Sequence, residues 1–355
     1  MTKQSLRIAV SIALVAALLT VFLWNVDLAE VGRSLAEARP GWLALATLLA
    51  LSTYWLRAVR WQIILRPVGP LRHSSVVLAT GAGYAAMSLL PARLGDLVRP
   101  LLLAQREHKP ASATIASIVT ERILDLGTVV FFFLIFALWP PVMDGLDEQA
   151  RRYLEALTRA AYLLAAGLVV ATVALLGLLG FQERLVRLLT APVARVAKRW
   201  EQPVASFLNH FLDGIRVLRR PRDLVVTVGA SLLLWYVIYW QVATSMLAFS
   251  IDLPFRTTYC LVMLAVVGLA IPTPGGIGGF HKATQAGLVY FFAIELNRAT
   301  GFAIAYHAIC FVPITVIGLA CLPAFGLSLR DVSSMKAAPA QETAARDGNG
   351  QPEPE

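Results

Sequence analysis

Apolar runs close to the length of a membrane crossing recur along this chain, and no other feature constrains its fold as tightly. The clearest are 6–24, 42–56, 123–139, 162–181, 224–249 and 302–325. A hydrocarbon core takes roughly 17–25 residues of helix to cross. Lipid offers no water to a peptide group, so each run must satisfy its own backbone hydrogen bonds and is expected to be helical. Composition agrees, at 57% hydrophobic and 15% charged residues with a mean hydropathy of +0.67. The expected fold is therefore all-α, a polytopic transmembrane bundle of about six full spans. Such a bundle uses most of the 355 residues and leaves no room for a separate soluble catalytic domain.

The first run follows basic residues and is about 18 residues long, more than a usual signal-peptide core, with no convincing small-x-small cleavage site after it. It is expected to remain as a first helix. Cys260, Cys310 and Cys321 lie in apolar segments without metal or redox spacing, so neither a metal nor a cofactor is expected. The net charge of +9 has two readings, nucleic acid or anionic lipid. Clustering of the basic residues between apolar runs favours lipid and excludes nucleic acid as a partner.

Segment 182–222 holds nine Lys/Arg against three Asp/Glu. Within it Val204, Phe207, Leu208, Phe211, Leu212, Ile215 and Leu218 recur at helical spacing. This basic amphipathic segment either lies in the membrane interface or packs on the bundle. In both cases the positive-inside rule places it in the cytoplasm. Parity then puts both termini on the cytoplasmic side of a cell inner or plasma membrane. The membrane domain is expected over 1–327, with 328–355, rich in Ala, Pro, Gly and Glu, as a disordered tail.

The same parity makes residues 58–113 begin and end inside. Their apolar stretch, about 76–103, must enter the membrane and return, yet two full spans need roughly 40 residues. A re-entrant hairpin with "PARLGD" (91–96) as its broken tip resolves this. Residues of about 259–295 must likewise leave and return from the outer side, around "IPTPGGIGGFHKATQ" (271–285). Two broken elements entering from opposite faces are the arrangement of an inverted repeat, and irregular backbone at depth marks a protein-lined cavity. No residue-level similarity links the halves.

Ionisable groups at membrane depth are candidates for function. Arg93, Asp96 and Arg99 surround the first break. If helix resumes near Leu94, Asp96 suits its first turn. The two arginines then either offer bidentate contacts to a phosphate or hold the hairpin closed through Asp96. Glu121 and Asp125 share one helical face while Arg122 points elsewhere. They serve acid–base chemistry, hold a cation, or pair with Arg93 and Arg99, and pairing costs least. Arg57 and Arg60, between Trp55 and Trp61, read as snorkelling residues at the cytoplasmic end of the second span, with headgroup contact as the alternative. His281 and Lys282 follow the glycine run, and His307 lies in the last span. "PGGIGG" lacks the Lys-Ser/Thr and the strand of a nucleotide-binding loop. Its glycines allow close backbone approach and free amides at a helix start, which suits an anion.

Taken in order, "RAVRW", "LLPARLGDLVRP", "SIVTERILDLG" and "PTPGGIGGFHKA" resemble the lysylphosphatidylglycerol synthase transmembrane-region family, the flippase-like domain proteins, over about residues 5–325. The resemblance implies a membrane bundle that moves lipids between leaflets. Larger members add a C-terminal domain that attaches an amino acid to phosphatidylglycerol; these residues lack it, so aminoacyl transfer is not expected. By motif position the resemblance carries over to Arg60, Pro91, Arg93, Gly95, Asp96, Arg99, Glu121, Arg122, Asp125, Pro274, Gly275, Gly276 and Gly278. The chain departs from many members at Ser88 (Asn there), His281 (Glu there) and His307 (Arg there). If the Glu and Arg pair in those members, the two histidines face each other here, within about 8 Å.

Three functions compete: a lipid translocase, a membrane-embedded enzyme acting on a lipid phosphate, and a scaffold for a lipid- or glycan-assembly complex. The reading adopted is translocation of an anionic phospholipid or a polyprenyl-phosphate-type lipid. Its headgroup site would be drawn from Arg60, Arg93, Asp96, Arg99, Glu121, Arg122, Asp125, Gly275, Gly276, Gly278, His281, Lys282 and His307. With neither an aminoacyl-transfer domain nor an ATPase motif, the chain is expected not to be an enzyme. Its expected partners are membrane lipids and lipid- or glycan-assembly proteins.

Overall fold

The structure, a computed structural model, describes residues 3–89, 95–139, 148–196, 198–271 and 273–327. All regular structure among them is helical, in thirteen α-helices with short 3-10 and π turns. Four long segments are apolar enough to cross a membrane: 40–64, 148–177, 221–248 and 296–325. The expected runs at 6–24 and 123–139 fall in helices α1 (Lys3–Phe22) and α6 (Ala111–Leu138), the second carrying Glu121, Arg122 and Asp125 within it.

Both broken elements are present. Helices α4 (His73–Leu89) and α5 (Gly95–Glu107) pack together as a hairpin, and Arg93 of its tip lies outside the described residues. Its base is tied by Arg72 Nε donating to Glu107 Oε1 at 2.8 Å. Helices α11 (Thr257–Leu269) and α12 (Gly279–Ala286) form the second hairpin, with a 3-10 turn at Pro274–Gly276 between them.

Around the hairpins stand four long helices: α3 (Pro40–Ile64) packs against α10 (Pro221–Ala248), α6 against α11, and α13 (Leu296–Cys321) against α4. Helices α3 and α10 are antiparallel. Arg39 N–H donates to Ala248 O (2.9 Å) at one end, and Arg66 pairs with Asp223 (2.8 Å) at the other. Helix α4 crosses α13, with Ser88 Oγ and Thr315 Oγ1 2.7 Å apart. Helix α6 crosses α11, where Arg256 donates to Trp139 O (2.7 Å) and Phe132 meets Tyr259 at 5.1 Å. Each of α3, α4, α5 and α6 therefore has a counterpart of opposite direction in α10, α11, α12 and α13. This is inverted-repeat packing, legible in contacts though not in sequence identity.

One residue-level trace of the repeat does exist. Each hairpin closes on a glycine pair, Gly83 with Gly95 in the first and Gly268 with Gly279 in the second. A methyl group on Gly95 would collide with the Gly83 carbonyl, and one on Gly279 with the Gly268 carbonyl. Only hydrogen leaves room for two helix backbones at that approach.

The basic segment resolves into α8 (Gln182–Val196) and α9 (Glu201–Ile215), which pack on each other. Helix α9 is seated on α6. Leu212 and Ile215 are buried, and Gly214 sits against the Ala113 carbonyl. Packing on the bundle is thus the reading that holds for α9, although Phe207 stays exposed. Helix α7 (Glu148–Gly180) runs along the periphery with most of its apolar surface uncovered, as a lipid-facing helix does.

Candidate functional site

Between the two hairpins and the crossing of α3 with α10 lies a cavity of about 350 Å³. Most of its wall is apolar, from residues such as Leu126, Val129, Ile238, Val262 and Ile314. Its charged lining residues are Arg57, Arg122 and Asp125, accompanied by Tyr84, Ser88, Gln241 and Trp235. The result is an amphipathic chamber inside a membrane bundle.

Behind the charged wall is a network of three arginines and three carboxylates. Arg60 is fully buried, contrary to the snorkelling reading. Its Nη1 donates to Asp125 Oδ1 (2.6 Å) and Ser231 Oγ (3.2 Å), and its Nη2 lies 3.2 Å from Glu121 Oε1. Arg99 forks onto both oxygens of Glu121 and stacks over Trp61, its guanidinium carbon 4.2 Å from the ring centroid. Trp61 in turn donates to Ser117 Oγ at 2.9 Å. Trp235 donates to Asp125 Oδ1 at 3.0 Å.

Arg122 does not point elsewhere. Its long side chain curls back to Asp96 (3.4 Å), Glu121 (3.5 Å) and Asp125 (3.9 Å), because its helix neighbours on either side supply the nearest countercharges. Asp96 occupies the first turn of α5, as expected. The pairing of Glu121 with Arg99 agrees with the sequence reading, but Arg60 and Arg122 complete it. Charges this deep persist only when paired, and here every one of the six is.

The second break is built differently. Gly276 (φ +70°) and Gly278 (φ +89°) hold backbone that an L side chain rarely adopts, and they press against Leu269 and Leu18. The amides of Gly276 and Ile277 are bonded inside the turn, to Thr273 O (3.1 Å) and Pro274 O (3.2 Å). Gly278 N–H goes to His281 Nδ1 at 3.4 Å. These three amides thus serve the turn rather than standing free.

His281 and His307 do face each other, ring centroids 4.3 Å apart. His307 Nε2 donates to Gly275 O at 2.8 Å, which ties the turn to α13. Phe280 packs against both rings and lines the cavity, so the imidazoles stand behind it. Lys282 Nζ donates to Gln285 Oε1 (2.8 Å) and does not line the chamber.

Of the residues proposed for the headgroup site, Arg122 and Asp125 are the ones among the described residues that line the cavity, joined by Arg57 and Ser88 from outside that set. Arg60, Asp96, Arg99 and Glu121 hold them in place, and Gly275, Gly276, Gly278, His281 and His307 shape the second break. Arg57 reads from sequence as a snorkelling residue, with headgroup contact as the alternative, because Trp55 near it marks an interface. Residues two apart on a helix point about 200° apart, however. Trp55 is exposed, whereas Arg57 faces the chamber. Trp235 and Gln241 carried no signal, since a lone indole or amide in an apolar run reads as core.

Comparison with known proteins decides the family. The family described as the lysylphosphatidylglycerol synthase TM region matches residues 8–318. The chain belongs to this family. It is 22% identical over 346 residues to a UPF0104 membrane protein of Methanothermobacter thermautotrophicus, covering 93% of this chain and 97% of that one. It is 25% identical over 343 residues to a protein named glycosyltransferase AglD of Haloferax volcanii, covering 89% of this chain. The match takes in 53% of that relative, so the chain spans about half its length.

The family chain is a multi-pass membrane protein. The expectation of a non-enzyme is corrected by the second relative, which bears a glycosyltransferase name. That expectation rested on missing nucleotide and aminoacyl-transfer motifs. Their absence says nothing about chemistry on a lipid phosphate, which membrane-embedded carboxylates and guanidiniums are equipped to assist.

Proposed function

We propose that this family member binds a lipid with an anionic headgroup in the central cavity and carries it between leaflets. One observation carries the reading. The chamber sits between two oppositely directed broken hairpins, with charged and polar side chains (Arg57, Arg122, Asp125, Ser88, Gln241) set into an otherwise mostly apolar lining. A phospholipid or a polyprenyl phosphate has the matching division, a charged head and a long apolar tail. Inverted repeats around a central site are also the architecture that supports alternating access. In this reading the Arg66 end, with its basic loops, faces the cytoplasm, as do the N- and C-termini.

A second reading follows from the relative's name: glycosyl transfer to or from a lipid phosphate held in the same cavity, within a lipid-linked glycan assembly. One experiment separates the two. The purified chain is placed in vesicles containing a fluorescent anionic phospholipid and a polyprenyl phosphate, and both leaflet distribution and lipid chemistry are followed. Translocation predicts that lipid crosses unaltered and that Asp125→Asn slows crossing at least about tenfold. Recovery of a glycosylated lipid when a sugar donor is supplied would establish the transferase reading instead.

A further inference from the structure

We propose that α8, the turn after it and the outer side of α9 form a foot that rests on anionic lipid at the Arg66 end of the bundle, the cytoplasmic leaflet in the orientation given above. The chain holds this foot at headgroup level from both ends. Helix α7, whose apolar stretch is long enough to cross the membrane, ends at Gly180, and one residue, Phe181, separates it from α8. After α9 a 3-10 turn, Arg216–Arg219, leads through Arg220 into α10, another helix of crossing length. Arg219 Nη1 donates to Leu179 O at 2.9 Å and ties that turn to the end of α7. One-residue connections leave the foot no slack to swing away from the bilayer.

The foot has two faces. Its inner face joins the bundle, where Val186, Leu212 and Ile215 pack with Leu179 of α7 and Ala116 of α6. Leu188 stands two residues from both Val186 and the buried Thr190, about 200° round the helix, and is 71% exposed. Leu189, Trp200 and Phe207 are exposed as well, as is Phe181 at the entry. Large apolar side chains left open on three successive elements, on a segment bound to the membrane at both ends, match the acyl boundary better than water.

Charge accompanies the outer face. Residues 182–222 hold nine Lys/Arg against three Asp/Glu, and Arg184, Lys198 and Arg199 are exposed. Arg184 lies over the Phe181 ring and Arg199 over the Trp200 ring, each guanidinium carbon 5.9 Å from the centroid. An exposed ring beneath a guanidinium suits the interface, with the ring at the acyl boundary and the charge among phosphates. Basic groups at that level are drawn to anionic headgroups. An acidic protein would match the charge, but it would leave the exposed rings and leucines at headgroup height without their natural cover.

The full chain in nanodiscs tests the foot, with phosphatidylcholine alone compared with a mixture containing phosphatidylglycerol. Backbone hydrogen exchange across 184–192 should slow about fivefold or more when phosphatidylglycerol is present. High salt should remove most of that slowing, and Lys198→Gln combined with Arg199→Gln should weaken it. Phosphatidylcholine brominated near the headgroup end of its acyl chains should quench Trp200, whose emission is the difference between wild type and Trp200→Phe. Exchange indifferent to lipid charge, or a Trp200 that the brominated lipid leaves unquenched, overturns the proposal. So does a dimer in detergent that Leu188→Glu dissociates, which would assign this face to a second copy of the chain. The wild-type lipid and salt series decides even if a variant fails to fold. Neither readout depends on lipid crossing, so the foot can fail while translocation stands, and the reverse.

Discussion

The two hairpins share a backbone plan and differ in chemistry. Each follows a long helix and returns on a glycine-to-glycine contact, and the contacts of each returning helix with the next long helix include one pair at matching places in the two hairpins. In the first hairpin that pair is Arg99 with Glu121, part of a six-member ionic network. In the second it is His281 with His307, two rings between Phe22, Phe280 and Phe311. Symmetry of the packing thus carries an asymmetric interior. The charged half sets ionic groups at the cavity, and the second half supplies a tightly held turn.

The largest test of that contrast is to remove the centre of the ionic half. Glu121→Ala leaves Arg99 without a carboxylate in the interior and Arg60 with Asp125 alone, and should cost about 3–5 kcal/mol, seen as a lowered Tm in detergent. A cost no greater than that of altering the histidine pair would mean the halves are energetically alike.

Gly95→Ala and Gly279→Ala probe what the hairpins share. Each forces a methyl group into a facing carbonyl and should cost about 1–3 kcal/mol. Comparable losses of Tm would support the repeat, whereas tolerance at one position alone would break it.

A smaller effect is expected from His307→Leu. It removes the donor to Gly275 O, worth about 0.5–1.5 kcal/mol. Hydrogen exchange should rise at residues 273–278 and stay unchanged in α4 and α5. Exchange rising in both hairpins would show that the breaks move together.

The smallest lies at the polar base of the first hairpin, where Arg72 grips Glu107. Burial raises the Glu107 carboxyl, but the nearby Ser75 hydroxyl and the hydrogen bonds from Arg72 outweigh it and leave the group below its ordinary value. A depressed folded value means the clamp stabilises above the ordinary carboxylate range and is lost as pH falls through the folded value. Arg72 is mostly exposed, so solvent screening holds the contribution under about 1 kcal/mol. The Tm difference between wild type and Glu107→Gln should shrink on acidification; a constant difference would refute the clamp.

Much of the frame was legible in the order of residues. Apolar run lengths required a helical membrane bundle, and counting crossings between basic loops required two elements that enter and return. Those inferences hold because lipid enforces backbone satisfaction and charge placement locally, run by run. The partners of charges at depth were not legible in the same way. Arg60 reads as interfacial from Trp55 and Trp61, yet its countercharges sit 61 and 65 residues away in α6. Spacing directs Arg122 away from the Glu121–Asp125 face, yet its side chain curls back to both and to Asp96 of α5. Arg57 lines the cavity without an ion pair among the described residues because the network closes without it. Run length and composition therefore determined that the chain crosses the membrane and breaks twice. Tertiary structure alone decided which charges cancel, because pairing depends on which helix faces stand opposite one another and not on spacing along any one of them.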